Sequence, residues 1–171
     1  MAYIVFRAGF GVEARLMRQK NKGVWTHVGL LVDGDFFESV ADTDECPGGV
    51  VKSALACFCH AGNAHRVAHL PFFLETQPRR SLRTWCENLA ARQLPFDTTY
   101  DLSTDDKMYC SEFVYKAFLH IGIVLCNGPF TQLTVPFSGV KQIIFPFDLI
   151  GNRQMKEGLP VNKSGNDVAL I

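Results

Sequence analysis

Two apolar runs, Val28-Gly29-Leu30-Leu31-Val32 and Phe36-Phe37-Glu38-Ser39-Val40, flank Asp33-Gly34-Asp35. Asp-Gly supplies the positive backbone angles of a type I′ turn, whose twist matches that of the strands it joins, so this segment is committed to a tight antiparallel hairpin. With Asp33 and Gly34 as the two turn residues, Val32 pairs with Asp35, and counting back puts Glu38 opposite Gly29. His27 is then a diagonal neighbour of Glu38 on the same face. Such neighbours have Cβ atoms roughly 7 Å apart, within reach of a carboxylate and an imidazole, and Gly29 has no side chain to come between them. A turn at Gly34-Asp35 would pair Glu38 with Leu31, further from His27, and a one-residue slip would send Glu38 to the other face.

The second constraint is Tyr109-Cys110-Ser111-Glu112, opening an amphipathic stretch. Phe113, Val114, Ala117, Phe118 and Ile121 recur at helical spacing, with Ser111, Glu112, Lys116 and His120 mostly on other faces, and Gly122 ends the pattern. Asp105 and Asp106 are candidate caps, and Glu112 adds first-turn negative charge. A cysteine at a helix start has free backbone N–H groups and the positive dipole end aimed at its sulfur, which favours thiolate. Tyr109 reads as core, or as a hydroxyl that assists an oxyanion or contacts substrate.

Elsewhere, residues 2–6 read as a buried strand, 12–20 as a helix with a basic end, and 66–70 as a strand ended by Pro71. Residues 81–94 carry Leu82, Trp85 and Leu89 at helical spacing, with Ser81 as cap and Pro95 as stop. Residues 50–59 fit a strand or a short helix equally well. Residues 97–107 form a polar loop, and 123–150, punctuated by Pro129, Pro136 and Pro146, hold one or two strands and a closing turn. The expectation is one α+β domain over residues 1–155, with a small antiparallel sheet or barrel packed against the Cys110 helix, and a polar, frayed tail over 156–171.

A chain of 171 residues with 14 phenylalanines has material for one sizeable core. The balance of 17 basic against 17 acidic residues gives no electrostatic footprint for nucleic acid. No signal-peptide pattern opens the chain, and no apolar run approaches the ~20 residues of a membrane span. A cytoplasmic location is the default, export without a leader the alternative; oligomeric state is open. The six cysteines then read as free thiols.

A thiol hydrolase needs a thiolate, an imidazole that exchanges protons with it, and a polar group that holds the imidazole. Cys110, His27 and Glu38 supply these types. The rival cluster, Cys57, Cys59, His60, His65 and His69, has metal-binding residue types but lacks the gap usual between paired thiolates, so no metal or cofactor is expected. No phosphate-binding glycine fingerprint and no Gly-x-Ser-x-Gly elbow occurs.

The chain resembles the permuted papain-like hydrolases of the NlpC/P60 superfamily, in particular the bacterial YiiX/YaeF-like group. The resemblance is carried by residues 3–18, by Thr26-His27-Val28-Gly29-Leu30 with Glu38, by residues 95–113, and by Pro146-Phe147-Asp148-Leu149-Ile150. The histidine strand precedes the cysteine helix, as the permuted group requires. The resemblance implies Cys110 as nucleophile, His27 as base and later acid, and Glu38 as the group that orients His27. It also implies an amide substrate, such as a peptidoglycan stem peptide or another small peptide-like conjugate. A lipid acyl hydrolase or acyltransferase is the alternative within the superfamily, and a catalytically silent binding module the alternative of another class. Two departures are the absence of Gly-Asp before the first strand and Phe147 where a small residue is usual.

Overall fold

The computed structural model describes residues 1–10, 23–44, 47–128, 130–135 and 139–159. The helix expected over 12–20, Cys46, and the tail beyond residue 159 lie outside the described residues. In chain order the elements are β1 (Ala2–Ala8), β2 (His27–Val32), β3 (Asp35–Val40), β4 (Gly49–Ser53), α1 (Leu55–Cys59), β5 (Arg66–Phe72), α2 (Thr76–Ala91), α3 (Cys110–His120), β6 (Thr131–Val135), β7 (Gly139–Ile143), a 3-10 turn (Pro146–Leu149) and β8 (Lys156–Glu157).

The main sheet is antiparallel and open, in the order β4-β3-β2-β1-β5-β8; β6 and β7 form a separate hairpin. The strands alternate sharply. Ile4, Phe6, Val28, Leu30, Val32 and Phe37 bury one face against Leu82, Cys86 and Leu89 of α2 and Phe113, Val114, Ala117 and Phe118 of α3. Val5, Leu31 and Phe36 bury the other against Leu55 and Phe58 of α1. Both faces of the central strands are therefore covered, which accounts for the near-continuous apolar runs in β1 to β3.

The β2–β3 register is the one the sequence predicts, with Val32 opposite Asp35 and Gly29 opposite Glu38. Asp33 (φ 50°) and Gly34 (φ 93°) adopt the positive angles of the turn. Asp33 and Asp35 are then pinned to α2 by Arg79 and Arg83.

Several boundaries differ from expectation. The helix α2 starts at Thr76, not Ser81, because Pro78 falls in its first turn, where the missing N–H has no intrahelical partner to lose. Pro71 does not end β5; it pairs with Tyr3 of β1, while on its other side β8 covers only Ala68 and His69, so no ladder bond is lost there. The undecided residues 50–59 are both alternatives in sequence, strand then helix. Lys156 and Glu157, expected to fray, form β8.

Gly29 is required by packing rather than by its backbone angle. The Phe36 ring crosses it, and a Cβ there would lie 2.3 Å from Phe36 Cζ and 2.9 Å from the Phe37 carbonyl oxygen. Because one of those neighbours is backbone, relief requires the ladder itself to shift. Gly29→Ala is expected to cost about 1–3 kcal/mol, the usual range for overpacking, read as a lowered midpoint in denaturant unfolding.

Candidate active site

The β2–β3 ladder ends at Gly29 and Glu38, yet β2 reaches back to His27 and β3 runs on to Val40, paired there with Gly49 of β4. The two strands part, and the chain entering α3 fills the opening. Ser39 donates its hydroxyl to the Met108 carbonyl at 2.6 Å, and the Val28 N–H donates to the Cys110 sulfur. One backbone group freed by the parting, the Val28 N–H, thus finds a partner at Cys110, and the Ser39 side chain ties β3 to the same segment.

Across the opening His27 meets Glu38. Its Nε2 lies 2.8 Å from Glu38 Oε2, which assigns the Nε2 proton to that bond and leaves Nδ1 for Cys110, with which His27 also forms a side-chain hydrogen bond. The Phe58 ring stands 5.5 Å from the imidazole, centroid to centroid, and touches the Phe36 ring that crosses Gly29. Ser53 of β4 donates to the other Glu38 oxygen at 2.6 Å. Arg7, opposite His27 on β1, donates to the Phe58 carbonyl and lies over the Phe58 ring.

Burial alone would drive these groups toward their neutral forms, raising Cys110 and Glu38 and lowering His27. Specific partners outweigh it. The His27 charge and hydrogen bond, with the Val28 N–H, bring the Cys110 thiol below its ordinary value, and Cys110 together with Glu38 lifts His27 above its own. Glu38 stays below the usual carboxylate range through His27, Ser53 and the Arg7 charge. The three shifts run in the direction of a thiolate beside an imidazolium backed by a carboxylate. Three other thiols move the opposite way: burial lifts Cys59 and Cys126 to about 11 each, and raises Cys86 further.

The backbone carrying Cys110 is gripped on both sides by one residue. Tyr109 Oη accepts the Ile144 N–H at 3.0 Å, and Ser111 Oγ donates to the Ile144 carbonyl at 2.7 Å. The Tyr109 ring belongs to a buried cluster with Ile143 and Phe145. Its placement is that of an anchor, and its hydroxyl is engaged at the end of β7.

Ser111 and Glu112, expected on polar faces, are fully buried. Glu112 accepts the Tyr109 N–H and pairs with Lys116 at 2.9 Å. Desolvation nevertheless raises its carboxyl to about 7. Neither Asp105 nor Asp106 caps α3; the N-cap is Tyr109, and Asp105 pairs with Lys116.

The loop before α3 is folded on itself. The carboxylate of Asp97 accepts from Thr99 and Asp101 and pairs with Lys107, while the Met108 N–H returns to the Pro95 carbonyl. Arg7, Ser53, Phe58 and the Ile144 clamp escape sequence reasoning. Only Ser53 left a trace, as a hydroxyl on an undecided segment whose pairing with β3 would have placed it near Glu38.

The rival cluster is dispersed. His69 bonds the Gly158 carbonyl and His65 packs on Phe10. Among the described residues no group of three His, Cys, Asp or Glu side chains is arranged to hold a metal ion, and no helix is long and apolar enough to cross a membrane. The cysteines among them, Cys57, Cys59, Cys86, Cys110 and Cys126, are free.

The model of the family described as "Permuted papain-like amidase enzyme, YaeF/YiiX, C92 family" matches residues 4–134. A crystal structure of the metalloprotein YiiX from Escherichia coli O157:H7 superposes with a TM-score of 0.68 at 14% identity, over 92% of this chain and 94% of that one. No curated protein matches. The structural likeness shows the fold, and the family model shows the kinship: the chain belongs to the YaeF/YiiX family of permuted papain-like amidases, a family of cysteine amidases and peptidases.

Proposed function

We propose that the chain hydrolyses an amide bond in a small peptide-like conjugate, such as a peptidoglycan stem peptide, with Cys110 as nucleophile, His27 as proton carrier and Glu38 as the group orienting His27. The observation that carries this reading is the buried relay of Glu38 Oε2, His27 Nε2 and Cys110, ending at a helix start. Family membership supports the amide over other bonds.

In the first half-reaction the Cys110 thiolate bonds to the substrate carbonyl carbon, and the oxygen takes the displaced electron pair. Backbone N–H groups at the start of α3, which lack intrahelical acceptors, are aimed where that charge develops. As the C–N bond breaks, the His27 imidazolium gives its proton to the departing amine, leaving a thioester on Cys110 and a neutral imidazole. A water then gives a proton to His27 and its oxygen bonds to the thioester carbon. The C–S bond breaks, releasing the carboxylic acid and restoring the ion pair.

Glu38 has two separable roles, steering the His27 ring and stabilising its charge. A neutral amide at position 38 retains the first and loses the second. Ser39 ties β3 to the Met108 carbonyl, two residues before Cys110.

Three outcomes test the reading. Iodoacetamide is expected to alkylate Cys110 at neutral pH at least ~10-fold faster than Cys59, Cys86 or Cys126, because the thiolate is the reactive form; mass spectrometry of the labelled peptides checks it, and equal rates would sink the proposal. Against peptidoglycan fragments, Cys110→Ala should abolish product, and His27→Ala should lower the rate about 10²–10⁴-fold, the usual range for general acid–base catalysis. Glu38→Ala should lose more than Glu38→Gln. Acylated lipids assayed in parallel, with cleavage of those alone, would overturn the amide assignment.

The third outcome concerns pH. Activity should follow a bell, with its acid limb below the ordinary thiol range, where Cys110 is protonated, and its alkaline limb above the ordinary imidazole range, where His27 loses its proton. An acid limb at the ordinary thiol value would count against the ion pair.

A further inference from the structure

We propose that Ser53 is a positioning residue of this site, holding Glu38 by Oε1 so that Oε2 alone is presented to His27. The inference rests on the roles assigned above to Cys110, His27 and Glu38.

Register places the three side chains on one slanting line. Glu38 lies opposite Gly29 on β2 and Val51 on β4. His27 is two residues from Gly29 in one direction along the sheet, and Ser53 two residues from Val51 in the other, because β2 and β4 run parallel to each other. Both are diagonal neighbours of Glu38 on the same face, at opposite ends of its reach. The carboxylate spans them, with 2.8 Å to His27 Nε2 and 2.6 Å to Ser53 Oγ. Two anchors at opposite oxygens fix the plane of the carboxylate as well as its position.

Direction is settled by chemistry. A carboxylate only accepts, so the Ser53 hydroxyl donates, and donation favours the charged form of Glu38. The other titratable or charged groups facing this carboxylate come from β1, α1 and α3: Arg7, Cys59 and Cys110 with its partner His27. Arg7 is committed to the Phe58 carbonyl and ring and contributes charge rather than alignment. Ser53 is therefore the group that supplies alignment from the side away from the nucleophile. Its removal leaves Oε1 to water, lets the carboxylate rotate, weakens its hold on the imidazolium, and through that charge weakens the thiolate.

The test is the pH dependence of iodoacetamide alkylation at Cys110 in the full chain, followed by mass spectrometry, with the unfolding midpoint measured alongside. Ser53→Ala should move the acid limb upward by about 0.5 pH unit, the size of one lost neutral-donor hydrogen bond. Ser53→Thr, which keeps a hydroxyl, should restore it. A merely structural Ser53 would lower the unfolding midpoint and leave the limb in place, and that result overturns the proposal. Should Ser53→Ala fail to fold, Ser53→Cys, similar in shape and a weak donor, replaces it with the same expectation. If Glu38→Ala leaves the limb unmoved, the roles assigned to Glu38 and His27 fail, and this proposal with them. If Glu38→Ala moves it and Ser53→Ala does not, only the role of Ser53 is lost.

Discussion

The rung at which β2 and β3 separate governs the whole arrangement. Had the ladder continued past Gly29 and Glu38, Val28 and Ser39 would have spent their polar groups on each other and closed the sheet against α3. Because it stops, the Val28 N–H is available to a sulfur, and the segment entering α3 comes close enough for the Ser39 side-chain hydroxyl to donate to the Met108 carbonyl. The opening joins the two layers of the molecule. His27 and Glu38 stand on the face covered by α1, whereas α3 packs on the other. Cys110 from one layer meets His27 from the other through that gap.

Burial and charge work against each other at this point, and the local geometry decides between them. Isolated, each of the three groups would be driven neutral by removal from water. Together they shift one another toward their charged forms, each flanked by a group of opposite charge or by a hydrogen-bond donor. Glu112, two residues from Cys110, shows the contrast. With one ammonium partner and one backbone donor, it does not overcome desolvation, and its carboxyl is raised. Each oxygen of both carboxylates has one donor; the difference lies in the charges nearby, Arg7 favouring the ionised Glu38 and Asp97 opposing that of Glu112.

Local rules made the hairpin legible. Asp33-Gly34 fixed the turn, the turn fixed the register, and the register placed Glu38 diagonally to His27 from eleven positions of sequence. The residue opposite Glu38 was read as a space between two side chains, but that space is filled from the side by Phe36, which ties the imidazole to α1 through Phe58. Such packing depends on an element whose position the sequence left open. The same holds for Ser53: β4 pairs with β3 across a loop of no regular pattern, and no local signal sets its register. The buried Ser111 and Glu112 were misread because helical periodicity marks polar residues as exposed, while both face partners far away or at the helix start. The Ile144 clamp joins positions more than thirty residues apart and leaves no trace in spacing.

The separation in sequence sets an order of assembly. His27 and Glu38 sit on one tight hairpin, whose closure involves a short loop and forms early on entropic grounds. Cys110 is held from both sides by Ile144, so its backbone is fixed only once the chain has passed β7 and returned to α3. During synthesis the His27–Glu38 pair therefore precedes the Ile144 clamp that fixes Cys110 by 106 residues of chain. A nascent chain can carry the paired His27 and Glu38 well before the Cys110 sulfur has a defined place beside them, so the three groups come together only when the fold is nearly complete.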